Sequence, residues 1–338
     1  MTRSRLGPSA LALAVALTAT TLVIVLAGGN PREALAALFN GAFGSAEAWS
    51  EVGVRTCPLL FTGLAVAIAF RAGIWNIGAE GQLLVGAVMV AWLGSHLGGW
   101  PAWLATPLVL AAAALGGAAW AGIAGVLRTA RGVDEVISTI MLNFVALGLI
   151  GWLVHGPLME AAGAYPQTDP VAAAARLPRL FAGYRLHAGL LLALLAAAAG
   201  WLLLFRTVLG FEMRAAGLNL VATRLAGLRT TGALLRALAI SGALAGLAGG
   251  VEVSAITFRL YDNFSPGYGF TAIAVALLGR LHPLGVVLAA VLFGALDVGS
   301  TAMQRVAGVS SVLVYAVQAI VIFTLLALDQ RRGAAEAG

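Results

Sequence analysis

The chain has 338 residues, of which 61% are hydrophobic and 10% charged, against about 45–50% and about 25% in a soluble globular domain, and this is the composition of a membrane protein. All 20 basic residues are arginine, which excludes a Walker A lysine and Schiff-base chemistry, while the single cysteine, Cys57, excludes an internal disulfide and a cysteine-rich zinc site. The formal charge of +6 reads as arginine held on the cytoplasmic side of a bilayer rather than as a nucleic-acid footprint.

Apolar segments recur in chain order at about 10–27, 56–70, 82–97, 102–127, 136–155, 188–205, 233–257, 268–281, 284–303 and 309–328, which makes ten candidate spans. The first follows Arg3 and Arg5 and outruns the 7–15 residues of a signal-peptide core, so it reads as a retained helix. Starting with the N-terminus inside, alternation leaves Arg32, Arg55, Arg176, Arg179, Arg185, Arg259 and Arg305 outside and the larger remainder of the 20 arginines inside. That asymmetry has the sign of the positive-inside rule and puts both termini in the cytoplasm.

Two polar connections are long enough to form structures of their own. Residues 156–187, with Pro157, Pro166, Pro170 and Pro178, form an external loop, and residues 206–232 form a cytoplasmic one in which four arginines face only Glu212. The span from Thr56 to Phe70 reaches about 22 Å, short of a hydrocarbon core of about 30 Å. The glycine-rich segment Arg71–Gln82 must therefore lie partly at membrane depth, which is tolerated only against protein or a polar cavity. A second interruption falls where Tyr268–Leu281 meets His282 and Pro283. Paired interruptions in two halves point to a transport pathway built from repeats.

Four stretches, Phe70–Gln82, Gly132–Asn143, Phe211–Asn219 and Gly267–Gly279, together resemble the permease subunits of ATP-binding-cassette importers. The branch they resemble serves nucleosides and is related to the ribose and branched-chain amino acid permeases. The resemblance covers nearly the whole chain. It implies one transmembrane domain over 1–338, all-α, with about ten helices in two inverted halves and interrupted helices near the midplane. It also implies a bacterial cell-membrane location, a second homologous permease subunit, a cytoplasmic ATPase subunit and an external substrate-binding lipoprotein. Nucleosides are the implied solute, with ribose-like sugars or branched-chain amino acids as alternatives.

Within 206–232, Asn219 can cap a following helix, with Leu220, Leu225 and Leu228 on an apolar face and Arg224 and Arg229 on a charged one. Sequence physics leaves open a docking helix or an ordinary connector. The resemblance favours ATPase coupling, through Glu212, Arg214, Gly217, Asn219, Arg224, Leu225 and Gly227. Trp75, Asn76, Glu80 and Gln82 form the most polar cluster at presumed membrane depth. An aromatic face with amides and a carboxylate would suit a flat base with hydroxyls; alternatively, Asn76, Glu80 and Gln82 satisfy freed backbone groups and pair with Arg71. Thr139 and Asn143, four residues apart on one helix face, extend the candidate pathway or act as interhelical hydrogen bonders with Ser138. Phe270 of the fourth stretch completes the candidate set.

Asp134 and Glu135 need only a helix macrodipole as their explanation. Glu252 and Asp297 sit near span ends, within reach of water; with Glu80 they define the rival reading, an ion-coupled secondary carrier. His155 and His187 bracket the external loop without an acidic or cysteine ligand set, and Cys57 beside Pro58 reads as packing at a helix start. No nucleophile, base and orienting group can be assembled, so a non-catalytic subunit is expected, with no cofactor, no metal and no nucleic-acid partner.

Overall fold

The computed structural model describes residues 28–308 together with Thr18, Thr21, Leu22, Ile24 and Val25. Its helices are α1 Pro31–Phe43, α2 Ala46–Arg71, α3 Ala79–Ser95, α4 Ala102–Arg131, α5 Glu135–Val154, α6 Gly189–Arg206, α7 Val208–Leu218, α8 Leu220–Leu225, α9 Thr230–Glu252, α10 Tyr268–Leu278 and α11 Pro283–Ala307. A π-helical turn, Val253–Thr257, continues α9. Six of the helices, counting α9 with its π turn, are long and apolar enough to cross a membrane, so the chain is an all-helical multi-pass membrane protein. The expected spans at 309–328 and, apart from the five positions above, at 10–27 lie outside the described residues.

Helix starts and stops follow local chemistry. Asn30 accepts the Arg32 N–H at 3.1 Å, and Pro31 follows at the first helical position of α1. The Asp134 carboxylate accepts the N–H groups of Val136 at 2.8 Å and Ile137 at 3.3 Å to open α5. Gly132, at φ 67°, ends α4 in the left-handed region.

One expectation needs correction. The span at 56–70 is not short, because α2 begins ten residues earlier and its 26 residues reach about 39 Å, so helix length no longer places Arg71–Gln82 at membrane depth. Ser45 accepts the Ala48 N–H at 3.1 Å and Glu47 sits in the first turn, so this end is a capped helix start made of polar residues. Cys57 is accordingly in the helix interior and buried, not at a helix start. The amphipathic helix α1 had no counterpart among the expected spans.

The described residues gather into two compact units, one from residues up to Arg55 with those from Leu292, the other from Thr56 to Val291. In the first unit, Ile24, Ala34 and Met303 form a buried cluster, with Leu35, Leu38 and Leu296 against it. Asp297, expected to reach water near a span end, pairs with Arg55 at 3.3 Å and is partly exposed.

In the second unit every residue from Thr56 to Ala69 is buried, as a helix apolar on all sides requires. Helices α4, α5 and α6 instead leave large apolar side chains such as Leu115, Phe144 and Leu195 uncovered, the faces a lipid tail would meet. The centre of the unit is a contact of α3, α4 and α9 through small residues. A Cβ on Gly117 would fall onto the Gly242 carbonyl, and one on Gly86 onto that of Gly246. In lipid, where apolar burial drives little association, such backbone proximity replaces it with dispersion contact.

The 156–187 loop is clipped to the ends of these helices. Thr168 N–H donates to the Leu260 carbonyl at 2.8 Å, Val171 to Phe258 at 2.9 Å and Ala172 to Gly94 at 2.9 Å. Leu177 N–H donates at 2.9 Å to Ser254, a carbonyl of the π turn. The Glu160 carboxylate accepts from Gln167 at 2.7 Å, from the Tyr165 N–H at 3.1 Å and from Arg259 at 2.6 Å, and Gln167 above all, with the Tyr165 N–H and Arg259, holds its titration below the ordinary carboxylate range. Burial, with the Arg185 cation adding, pushes the buried His187 imidazole down to about 4. Its Nδ1 accepts the Gly189 N–H at 3.2 Å.

Two outcomes follow from these contacts. Gly117→Val should lower the thermal midpoint of the purified chain by the equivalent of about 3 kcal/mol or prevent folding, whereas Gly122→Val on the same helix, with open space around its Cβ, should leave it unchanged. Both loop groups titrate below their unfolded values, so their contribution is complete above about pH 6.5 for His187 and above about pH 4.3 for Glu160, and is lost as pH falls. Between pH 7 and pH 5 the histidine alone should weaken closure of the loop by about 2 kcal/mol. Hydrogen exchange of residues 160–187, corrected for intrinsic rates, should rise over that interval and stay flat in His187→Asn; equal exchange at both pH values would contradict the assignment.

Candidate functional site

Residues 72–78 between α2 and α3 are not helical, and Gly73 at φ 76° turns the chain away from the α2 axis. Backbone released here has to be paired inside the protein. Asn143 on α5 does so twice, accepting the Gly81 N–H at 2.8 Å and donating from Nδ2 to the Ile77 carbonyl at 2.9 Å. The Thr139 hydroxyl accepts the Ile77 N–H at 3.3 Å, and the Glu135 carboxylate accepts the Trp75 N–H at 3.4 Å. Glu135 also forms an ion pair with Arg128, so it has a role beyond its helix dipole.

Within the segment, the Asn76 amide faces that of Gln82 in a reciprocal pair, both contacts at 3.0 Å. Asn76 Oδ1 also accepts the Gly78 N–H at 2.9 Å, and its Nδ2 donates to Ser241 of α9 at 2.9 Å. Ser241 in turn donates to the Ala65 carbonyl at 2.7 Å. Glu80 crosses to the other half of the chain, its Oε2 accepting the Gly269 N–H at 2.6 Å in the first turn of α10. A carboxylate there meets the positive end of the helix dipole.

The second interruption, 279–282, joins α10 to α11, with Arg280 and Leu281 both at φ 53°. Two consecutive non-glycine residues in the left-handed region are strained. Arg71 holds the turn from the first interruption, its Nε donating to the Leu281 carbonyl at 3.0 Å. The expected pairing of Arg71 with Asn76, Glu80 or Gln82 is not made, because those groups have internal partners and the guanidinium turns to Leu281 and the Phe205 ring.

Of the seven candidate pathway residues, Asn76, Glu80, Gln82, Thr139 and Asn143 are buried, while Trp75 is 56% and Phe270 46% exposed. Trp75 packs on Phe70 with ring centroids 4.7 Å apart. The structure thus divides the set into five that pair backbone and one another and two that present aromatic surface.

Segment 206–232 holds two short helices, where the sequence suggested one. Thr207 caps α7 through the Gly210 N–H at 3.0 Å, and Asn219 caps α8 through the Ala222 N–H at 2.9 Å, as expected. Gly227, at φ 80°, stops α8, with the Leu228 N–H on the Thr223 carbonyl at 3.2 Å. Glu212 pairs with Arg236 of α9 at 2.9 Å, and Arg214 lies over the Phe205 ring. Gly217 touches the backbone of the first interruption, where a Cβ would fall onto the Arg71 carbonyl. Leu220 turns inward, toward the cluster of Ile74, Met213 and Leu238. Leu218, at the end of α7, and Val221 and Leu225, four residues apart on one face of α8, are instead 89%, 68% and 84% exposed.

Residues 49–326 match a family described as branched-chain amino acid transport system / permease component. The chain belongs to this permease family. It is 39% identical over 318 residues to a guanosine ABC transporter permease protein of Bacillus subtilis, covering 92% of this chain and 90% of that one. It is 38% identical over 332 residues to a glucose ABC transporter permease protein of Haloferax volcanii, covering 95% and 87%. A nucleoside ABC transporter permease protein of Lactococcus lactis is 35% identical over 315 residues, covering 89% and 85%. No solved structure matches.

For a permease of this family, sequence reasoning missed Ser241 and Gly269, the distant partners of Asn76 and Glu80, and the exposed pair Leu218 and Val221. No local signal marks Ser241 among small residues of α9, but Val221 and Leu225 are readable as one face once the helix start at Leu220 is fixed. Asn143→Ala leaves the buried Gly81 N–H without a partner, about 1–3 kcal/mol, and the part-buried Ile77 carbonyl without its donor, and should lower the thermal midpoint sharply. Trp75→Ala should leave it nearly unchanged; equal midpoints for the two variants would contradict the division of roles.

Proposed function

We propose that the chain is one transmembrane half of an ATP-driven importer of nucleosides in a bacterial cell membrane. It would work with a second permease subunit, a cytoplasmic ATPase subunit and an external substrate-binding lipoprotein. The observation that carries this reading is the trio Leu218, Val221 and Leu225, large apolar side chains uncovered on α7 and α8 where a soluble partner can take them into a groove. Guanosine and nucleoside permeases among the similar proteins support the solute class; the glucose permease keeps a sugar as the second reading.

On this reading, about ten helices form two inverted halves, both termini and 206–232 face the cytoplasm, and 156–187 faces outward. The bond from Glu80, just past the first interruption, to the first turn of α10, the helix that leads into the second, supports a two-half arrangement. Trp75 and Phe270 would offer aromatic surface to a base, while Asn76, Glu80, Gln82, Thr139 and Asn143 shape the wall behind them. Leu225 and Arg224 would meet the ATPase directly, with Asn219 and Gly227 fixing α8 and with Glu212, Arg214 and Gly217 seating α7 on the permease. The subunit itself would be non-catalytic, with hydrolysis confined to the partner.

Leu225→Asp should weaken co-purification of the ATPase by about 2 kcal/mol, or about thirtyfold, and abolish uptake of labelled guanosine, leaving the permease's thermal midpoint unchanged. Unlabelled glucose should not compete with that uptake. Wild-type ATPase recovery with Leu225→Asp would reject the docking role, and competition by glucose in place of guanosine would move the solute to sugars.

A further inference from the structure

The ring of Phe205, at the end of α6, gathers two guanidiniums and an imidazole from three elements. The Arg71 guanidinium lies 5.3 Å from its centroid and that of Arg214 lies 5.2 Å from it. The His282 ring, at the second interruption, is centred 5.1 Å away. Arg206 sits one residue along, over Trp201 at 5.3 Å. Cation–π contact draws each guanidinium to the ring, but it does nothing to offset their mutual repulsion.

A carboxylate would be the ordinary solution, and none of the described residues supplies one to Arg71 or Arg214. Glu212 is engaged by Arg236 and Glu135 by Arg128. The Leu281 carbonyl occupies only the Nε of Arg71. The Nε of Arg214 is buried and has no hydrogen-bond partner among the described residues, although a guanidinium is a donor fork matched to phosphate or carboxylate oxygens.

We propose that Arg71 and Arg214, converging on Phe205 beside His282, form a binding site for a phosphate group. Basic pockets between membrane helices on the cytoplasmic side are where anionic headgroups bind, and the site lies on the side that carries segment 206–232. The phosphate can come from an anionic phospholipid or from solution; the chemistry recognised is the same. The site needs neither the ATPase nor a solute, so its test stands apart from the transport reading.

Thermal unfolding of the full-length chain is measured in detergent with added phosphatidylglycerol, phosphatidylcholine or inorganic phosphate at matched ionic strength. Phosphatidylglycerol should raise the midpoint beyond phosphatidylcholine, and Arg214→Gln should lose that increment. Arg179→Gln, an equal charge change in the 156–187 loop, should retain it. A shift with phosphatidylglycerol alone assigns the site to lipid, and an equal shift with inorganic phosphate assigns it to a soluble anion. Should Arg71→Gln fail to fold, through loss of the Leu281 contact, Arg214→Gln alone decides. No anion-specific shift, or a full increment in Arg214→Gln, would overturn the proposal and leave the two guanidiniums to the aromatic ring and helix carbonyls.

Discussion

A peptide group buried away from water needs a partner within the protein, and the arrangement of the second unit follows from that constraint. Where the chain leaves α-helical form at 72–78, each released group needs a donor or acceptor from the protein. Asn143, Thr139 and Glu135 supply them from α5, which fixes that helix against the interruption. Ser241 ties the Asn76–Gln82 pair to α9 and through it to Ala65 of α2. One local departure from helix geometry thereby organises several helices.

The same logic explains why the polar residues of this segment are buried rather than lining open space. Asn76 and Gln82 satisfy each other, and Glu80 is held by an amide at the start of α10. A network in which every member is paired is rigid, and removing one member strands the rest in low dielectric. Aromatic surface carries no such obligation, so Trp75 and Phe270 remain half exposed beside it. On the proposed function, a rigid polar frame positions two apolar faces that contact a solute only in passage.

Much of this was legible in the sequence, and the limits have physical causes. Glycine and polar residues inside an apolar chain marked both interruptions, because composition alone tells where a helix cannot continue at depth. Asp134 and Asn219 were readable as caps because capping is local. The start of α2 was not, since hydropathy passes over Ser45, Glu47, Glu51 and Arg55 even though the first two are ordinary helix-start residues. The partners of Asn76 and Glu80 were hidden for a different reason: Ser241 and Gly269 lie far along the chain, and nothing about either residue states its neighbour. Glu80 was weighed as a solute contact and as a backbone partner, and the geometry brings forward the second possibility.

Segment 206–232 meets the first interruption backbone on backbone at Gly217 and Gly73. A Cβ on Gly73 would stand 3.0 Å from the Cα of Gly217, so the two chains meet without side chains that could rearrange to absorb a displacement. Arg71, next to that contact, is bonded to the strained turn at Leu281. A displacement imposed on Leu218, Val221 and Leu225 would therefore reach both interruptions through two short connections, one steric and one a hydrogen bond. The two are not equivalent mechanically. Steric contact transmits a push and not a pull, and the Arg71 bond lies behind that contact rather than beside it, so an inward displacement of α7 and α8 would load the first interruption and, through Arg71, the second, whereas an outward one would load neither by this route. On the proposed function, this asymmetry lets one segment push on both interruptions and leaves it unable to pull on either by this route.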